Sequence, residues 1–88
     1  MGAQRALPEE VARSLRHAFA AERDARLPHL RARDASTLHD AHALASSAWV
    51  VGEREISTLA RSVEESLEAG DEPTDLPALV SALERYAP

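Results

Sequence analysis

Several residue types are absent or scarce in this sequence, and each absence excludes a class of structure or function. There is no cysteine, which excludes disulfides and thiol chemistry. No apolar run approaches the roughly 20 residues of a membrane span, and the N-terminus has no signal-peptide core. The formal net charge is −5 and the arginines are scattered, which argues against a nucleic-acid surface. We therefore expect a cytoplasmic protein that binds neither membrane nor nucleic acid.

Aromatic residues are also few, whereas alanine is abundant. The three aromatics are Phe19, Trp49 and Tyr86. Alanine is the best helix former, and strands favour β-branched and aromatic residues, so this composition predicts closely packed helices. The length of 88 residues suits one small domain. We predict a flexible N-terminus over residues 1–7 and a single helical bundle over residues 8–86.

Capping residues and apolar spacing predict four amphipathic helices. The first begins near Pro8, and Pro28 predicts either a kinked helix to about Arg33 or a break near Arg26. Asp34 or Ser36 caps the second helix. The second helix ends at Gly52, and a third helix covers residues 53–69 and is ended by Gly70. A fourth helix is capped by Thr74 or Asp75 and has Pro77 in its first turn.

The predicted fold class is all-α. Each helix has one apolar stripe, and short connections favour an antiparallel up-down four-helix bundle that hides all four stripes together. A bundle of this size has little room for a deep substrate cavity. The second helix should place Ala41, Leu44, Ala48 and Val51 in the core.

His42 is the most informative residue, because it lies in an apolar or small-residue stretch of the second helix yet off the core stripe. At about 100° per residue, Trp49 lies about 20° from His42, Leu38 and Ser46 about 40°, and His39 and Ala45 about 60°. An apolar rim around a reactive imidazole is typical of a docking surface. The alternative is a wide core stripe that buries Leu38 and Trp49 within the monomer.

His39 and His42 also share one helical face and could together hold a metal. Zinc requires further ligands, and no cysteine is present. Asp40 points away from the pair, and only His17 or His29 could complete such a site. We therefore predict no metal site and no intrinsic cofactor.

The residues after His42 resemble the signature of histidine phosphotransfer (HPt) domains of bacterial two-component phosphorelays. The similarity consists of His42, Leu44, a small residue at Ser46 followed by Ser47, and Gly52 ten residues after the histidine. The next helix, with Leu59 and Val63-Glu64, and the C-terminal Ala82-Leu83-Glu84 helix are also similar to the family. The resemblance covers roughly residues 8–86.

The resemblance implies that His42 is a phosphoacceptor and that Leu38, His39, Ala45, Ser46 and Trp49 contact the partner. A receiver-domain aspartyl phosphate would donate the group, and a second receiver would take it. The receiver would bring Mg²⁺, and a hybrid histidine kinase is a further partner. No nucleotide-binding motif occurs in the sequence, so we expect a monomeric carrier without ATP-dependent kinase activity.

Two departures from the family motif leave alternatives open. The family's lysine is Ala45 here and its glycine is Ser46. One alternative is a binding-only, degenerate docking module that is not phosphorylated. Another is a helical adaptor in which Trp49 anchors a partner helix. The sequence leaves open whether an arginine from another helix, such as Arg31, Arg33 or Arg54, replaces the charge of the family's lysine.

Overall fold

The structure, a computed structural model, describes residues 7–88, and most of the predicted flexible N-terminus lies outside this range. Four helices and no strand are present in the described part. They are α1 (Glu9–Ala32), α2 (Thr37–Val50), α3 (Arg54–Glu68) and α4 (Leu76–Arg85). The all-α prediction and the number of helices are confirmed. None of these helices is long and apolar enough to cross a membrane.

α1 continues through Pro28 to Ala32, so the predicted alternative of a break near Arg26 is wrong. Pro28 is exposed, whereas Leu27 and Leu30 are buried on the other side of the helix. Burial of these two leucines offsets the backbone hydrogen bond that proline cannot donate. Arg33, with a left-handed φ of 51°, ends the helix and donates its backbone N–H to the Leu30 carbonyl.

Glycines end two of the helices where the sequence predicted. Gly52 (φ 81°) follows α2 and Gly70 (φ 77°) follows α3, and the left-handed backbone at both positions strains any side chain with a Cβ. The start of α2 differs from the prediction, because no side chain caps this helix. Ser36 precedes the helix, but its hydroxyl donates to Asp34 and Asp40 instead of accepting a backbone N–H of the first turn.

The helices pack as neighbours in a ring, in which α1 touches α2 and α4, and α3 touches α2 and α4. The most extensive contact is between α2 and α3. Ala41, Leu44 and Ala48 are fully buried as predicted, whereas Val51 is only partly buried. At the end of α4, the Tyr86 ring meets Phe19 edge-on at 5.0 Å, and Arg23 donates to the Leu83 and Tyr86 carbonyls.

A buried ion pair fixes α2 against α1. Asp40 is 3% exposed, and its carboxylate accepts hydrogen bonds from Arg26 Nη1 at 2.6 Å and from the Ser36 hydroxyl at 2.8 Å. Hydrogen bonds to Glu22 and Asp40 raise the pKa of Arg26 against the opposing effect of its own burial. The carboxylate is thus satisfied by partners from both helices.

Replacing Asp40 by Ala should lower the free energy of unfolding by about 2 kcal/mol, because Arg26 loses its buried partner. This loss of stability is smaller than for a fully buried ion pair, because the Arg26 side chain is 25% exposed. Urea denaturation of Asp40→Ala, Arg26→Ala and the double variant measures the coupling. If the two single changes are additive, the ion pair contributes nothing.

Candidate functional site

The His42 ring stands on the outer side of α2 and is held by one side chain of α3. Its Nδ1 lies 2.5 Å from Glu64 Oε2, and its side chain is 66% exposed. An ionised carboxylate can only accept hydrogen bonds, so in the neutral imidazole Nδ1 carries the proton and Nε2 has the free lone pair. Among residues 7–88 no other side chain hydrogen-bonds this ring. Nε2 is therefore left for solvent or a partner.

Glu64 is well placed to orient the ring because it is itself partly enclosed. Its side chain is 17% exposed, and it directly follows Val63, which is fully buried in the core. On the same helix as Glu64, the Ser57 hydroxyl donates to the Ala45 carbonyl of α2 at 2.8 Å in a buried hydrogen bond. This bond and the close α2–α3 packing fix the register that brings Glu64 opposite His42.

A shallow groove between α2 and α3 surrounds the imidazole. One wall is formed by small residues of α2, and the other by charged residues of α3. The residues that line it are His42, Ala45, Ser46, Arg61, Glu64, Glu65 and Glu68. The groove is open to solvent, which suits contact with a protein surface more than enclosure of a small substrate.

The structure places four of the predicted partner-binding residues at the surface. Leu38 is 38% exposed and Trp49 is 58% exposed, while His39 and Ser46 are also exposed. The wide core stripe that would bury Leu38 and Trp49 is therefore absent. Ala45 differs, since it is 4% exposed and belongs to the core, although it lines the floor of the groove.

Trp49 is stabilised at the surface by a cation. The Arg54 guanidinium lies 4.9 Å from the centre of the indole, a distance typical of a cation–π contact. A second shallow groove beside the indole is lined by Trp49, Ser57, Thr58 and Arg61. Arg61 thus borders both the His42 groove and the Trp49 groove.

The candidate replacement cations named from the sequence are engaged elsewhere. Arg31 pairs with Glu84, and Arg33 pairs with Glu72, both at 2.7 Å. Arg54 stacks on Trp49. Arg61 was not singled out from the sequence, and Glu64 was named there only as part of the resemblance to the family. The only local signal for Glu64 is its position beside the buried Val63, because contact with His42 depends on the register between two helices.

A second group of titratable residues lies at the α1–α2 connection. His29 Nδ1 donates to Asp34 Oδ2 at 2.6 Å, and Asp34 Oδ1 accepts the Ser36 backbone N–H at 3.0 Å. Within the described residues, His29, Asp34 and Asp40 form the only group of three with ligand atoms close enough to share a metal. Hydrogen-bond donors, including the Arg26 guanidinium, already occupy the carboxylates. His39 and His42 do not belong to this group.

The His29–Asp34 pair should make stability depend on pH. The hydrogen bond to Asp34 raises the pKa of His29 above its usual 6.5, and the same bond lowers the pKa of Asp34 below 3.8. The His29 contribution is complete below pH 6.5 and is lost as the pH rises through the raised pKa. The Asp34 contribution is complete above pH 3.8 and is lost as the pH falls through the lowered pKa.

We expect the wild-type protein to lose more stability than His29→Gln between about pH 5.5 and about pH 8.5. Urea denaturation across this range measures the difference. His17→Gln is the matched control, because the His17 side chain is exposed and has no hydrogen bond or ion pair among residues 7–88. Parallel curves for the wild type and His29→Gln would contradict the assignment.

In comparisons with known proteins, no protein family, curated protein or solved structure matched the chain.

Proposed function

We propose that this chain is a phosphorelay intermediate that accepts a phosphoryl group on His42 from a receiver-domain aspartyl phosphate and passes it to another receiver. The observation that carries the proposal is the exposed imidazole whose Nδ1 donates to Glu64. The resemblance of residues 42–52 to HPt domains supports the same chemistry. The helical order, with each helix against the next and α4 back against α1, suits an antiparallel up-down bundle.

The proposed reaction needs positioning more than enclosure. The lone pair of Nε2 attacks phosphorus in line, the phosphorus–oxygen bond of the aspartyl phosphate breaks, and the receiver's carboxylate leaves with the electron pair. Positive charge develops on the imidazole and is stabilised by the Glu64 carboxylate at Nδ1. Mg²⁺ would come from the receiver, and the same steps in reverse load the next receiver.

The partner is held transiently in this proposal. Leu38 and Trp49 supply exposed apolar surface on the same helix as His42, and His39 and Ser46 add polar contacts. A patch of this extent fits interfaces at the low end of the size range. Receiver domains, and the hybrid kinases that contain them, work in the cytoplasm, which is therefore the proposed compartment for a monomeric carrier.

A second candidate is a docking module that binds a receiver without being phosphorylated. Three glutamates around His42 and the absence of any polar group on Ala45 favour it, because both disfavour a phosphoryl dianion at this place. The adaptor alternative also retains its support, since Trp49 is exposed.

The test is transfer from a panel of phosphorylated receivers, followed by intact-mass measurement at neutral pH and after acid treatment. A relay gives an adduct that is stable at neutral pH and lost in acid. Receiver binding without an adduct establishes the docking module. If no receiver binds and no receiver gives an adduct, both the relay and the docking module are overturned.

A further inference from the structure

Arg61 differs from nearly all the arginines around it, because its charge has no partner within residues 7–88. Six arginines form ion pairs with carboxylates, and Arg54 stacks on Trp49. The Arg61 side chain is exposed and has no hydrogen bond, ion pair or aromatic contact among the described residues, a property it shares there only with Arg13. Unlike Arg13, it borders the groove that contains His42.

The charges of this groove leave a phosphoryl group with one attractive neighbour. Glu64, Glu65 and Glu68 line the groove, and Arg61 is the only arginine among the described residues that line it. The sequence contains no lysine, so no side-chain ammonium group is available. A phosphoryl group adds between about one and two negative charges and three acceptor oxygens at neutral pH. Without a cation, the three glutamates would oppose that charge.

Arg61 lies close along α3 to the residue that holds the His42 ring. Arg61 precedes Glu64 by three residues, which places both on one face of the helix about one turn apart. Glu64 holds Nδ1 of His42, and the two grooves that Arg61 borders extend from His42 to Trp49 along α2. A long, planar guanidinium with five donors can reach phosphoryl oxygens in this space and bind two of them together.

We propose that Arg61 is the residue that binds the phosphoryl group on His42. The inference rests on the proposed function and adds to it the source of the neutralising charge. During transfer, a phosphorus–nitrogen bond forms at Nε2, the donor's phosphorus–oxygen bond breaks, and the proton on Nδ1 stays shared with Glu64. The Arg61 guanidinium donates to the phosphoryl oxygens, and the Ser46 hydroxyl in the same groove is a second donor.

Loading with phosphoramidate tests the inference without a receiver. Nε2 attacks phosphorus, the phosphorus–nitrogen bond of phosphoramidate breaks, and ammonia leaves after taking a proton from solvent. We expect Arg61→Ala to slow loading and shorten the lifetime of the adduct, with a combined effect of about threefold to tenfold. Arg61→Lys should recover part of the loss, because it restores charge but not the two-point geometry. Arg13→Ala is the control, since it removes the same charge from an exposed position of α1.

Two further measurements distinguish binding of the phosphoryl group by Arg61 from a purely structural role. A structural role would produce neither of the two results. The difference between Arg61→Ala and wild type should diminish toward zero at about 1 M salt, where exposed charges are screened. In the wild type, the Arg61 Nε–H resonance should move when His42 is loaded, while that of Arg13 stays in place. The salt dependence would show that the effect of Arg61 is electrostatic, and the shift of its resonance supports direct contact with the phosphoryl group.

The outcomes separate this inference from the function on which it rests. If the wild type is loaded and Arg61→Ala behaves like Arg13→Ala, Arg61 does not bind the phosphoryl group, although the relay stands. If the wild type takes no phosphoryl group from phosphoramidate or from any receiver, the proposed function and this inference both fail.

Discussion

Replacing His42 by Gln is expected to abolish phosphoryl acceptance from receivers while leaving the fold intact. Glutamine has no ring nitrogen with a lone pair, so no phosphorus–nitrogen bond can form at this position. Its amide N–H can still donate to Glu64. The His42 side chain is 66% exposed, so we expect the free energy of unfolding to change by no more than about 0.5 kcal/mol.

The matched control for this variant is His39→Gln. His39 is exposed and lies one turn before His42 on α2, but its side chain makes no hydrogen bond to another residue of the described chain. Intact-mass measurement after incubation with a phosphorylated receiver should show an adduct on His39→Gln and none on His42→Gln. An adduct that persists on His42→Gln would move the acceptor to another residue.

Replacing Glu64 by Ala is expected to slow phosphoryl transfer to His42 by about tenfold to a hundredfold. Two contributions are lost: the contact that orients Nε2 toward a partner, and the negative charge that stabilises the imidazole as it becomes positive. Glu64→Gln retains a hydrogen-bond acceptor at similar length but removes the charge. Its rate should therefore fall between those of the wild type and Glu64→Ala.

Glu65→Ala provides the control for Glu64, because Glu65 lines the same groove without contacting His42. Removing this carboxylate takes away repulsion toward the phosphoryl group, so its transfer rate should equal or slightly exceed that of the wild type. Rapid-mixing measurements with a saturating phosphorylated receiver give the rates of the wild type and the three variants. A Glu64→Ala rate equal to the wild-type rate would show that the Glu64 contact has no part in the reaction.

Local sequence signals predicted the helices well, because the ends and stripes of a helix depend on residues close together in the chain. Gly52 and Gly70 have the left-handed conformation that their positions require, and Ile56, Ala60 and Val63 form the buried side of α3 as their spacing indicates. Pro28 was the difficult position. Its effect on α1 depends on the burial of Leu27 and Leu30 against other helices, which no local rule includes.

The site was predicted in part, and the missing part consists of contacts between helices. The position of His42 off the core stripe follows from the helical period alone, and the structure exposes it. Its contact with Glu64 depends on how α2 and α3 slide against each other, which the packing of residues such as Ala45 and Ser57 determines. The same register places Arg61 beside the groove, a position that the spacing along one helix could not reveal.

The most direct test of the account is nitrogen–phosphorus coupling in the loaded protein, measured by NMR on ¹⁵N-histidine-labelled chain. The His42–Glu64 contact predicts coupling to Nε2 of His42, with the proton on Nδ1 in the free protein. Coupling at Nδ1, or phosphorus on a residue other than His42, would contradict the account.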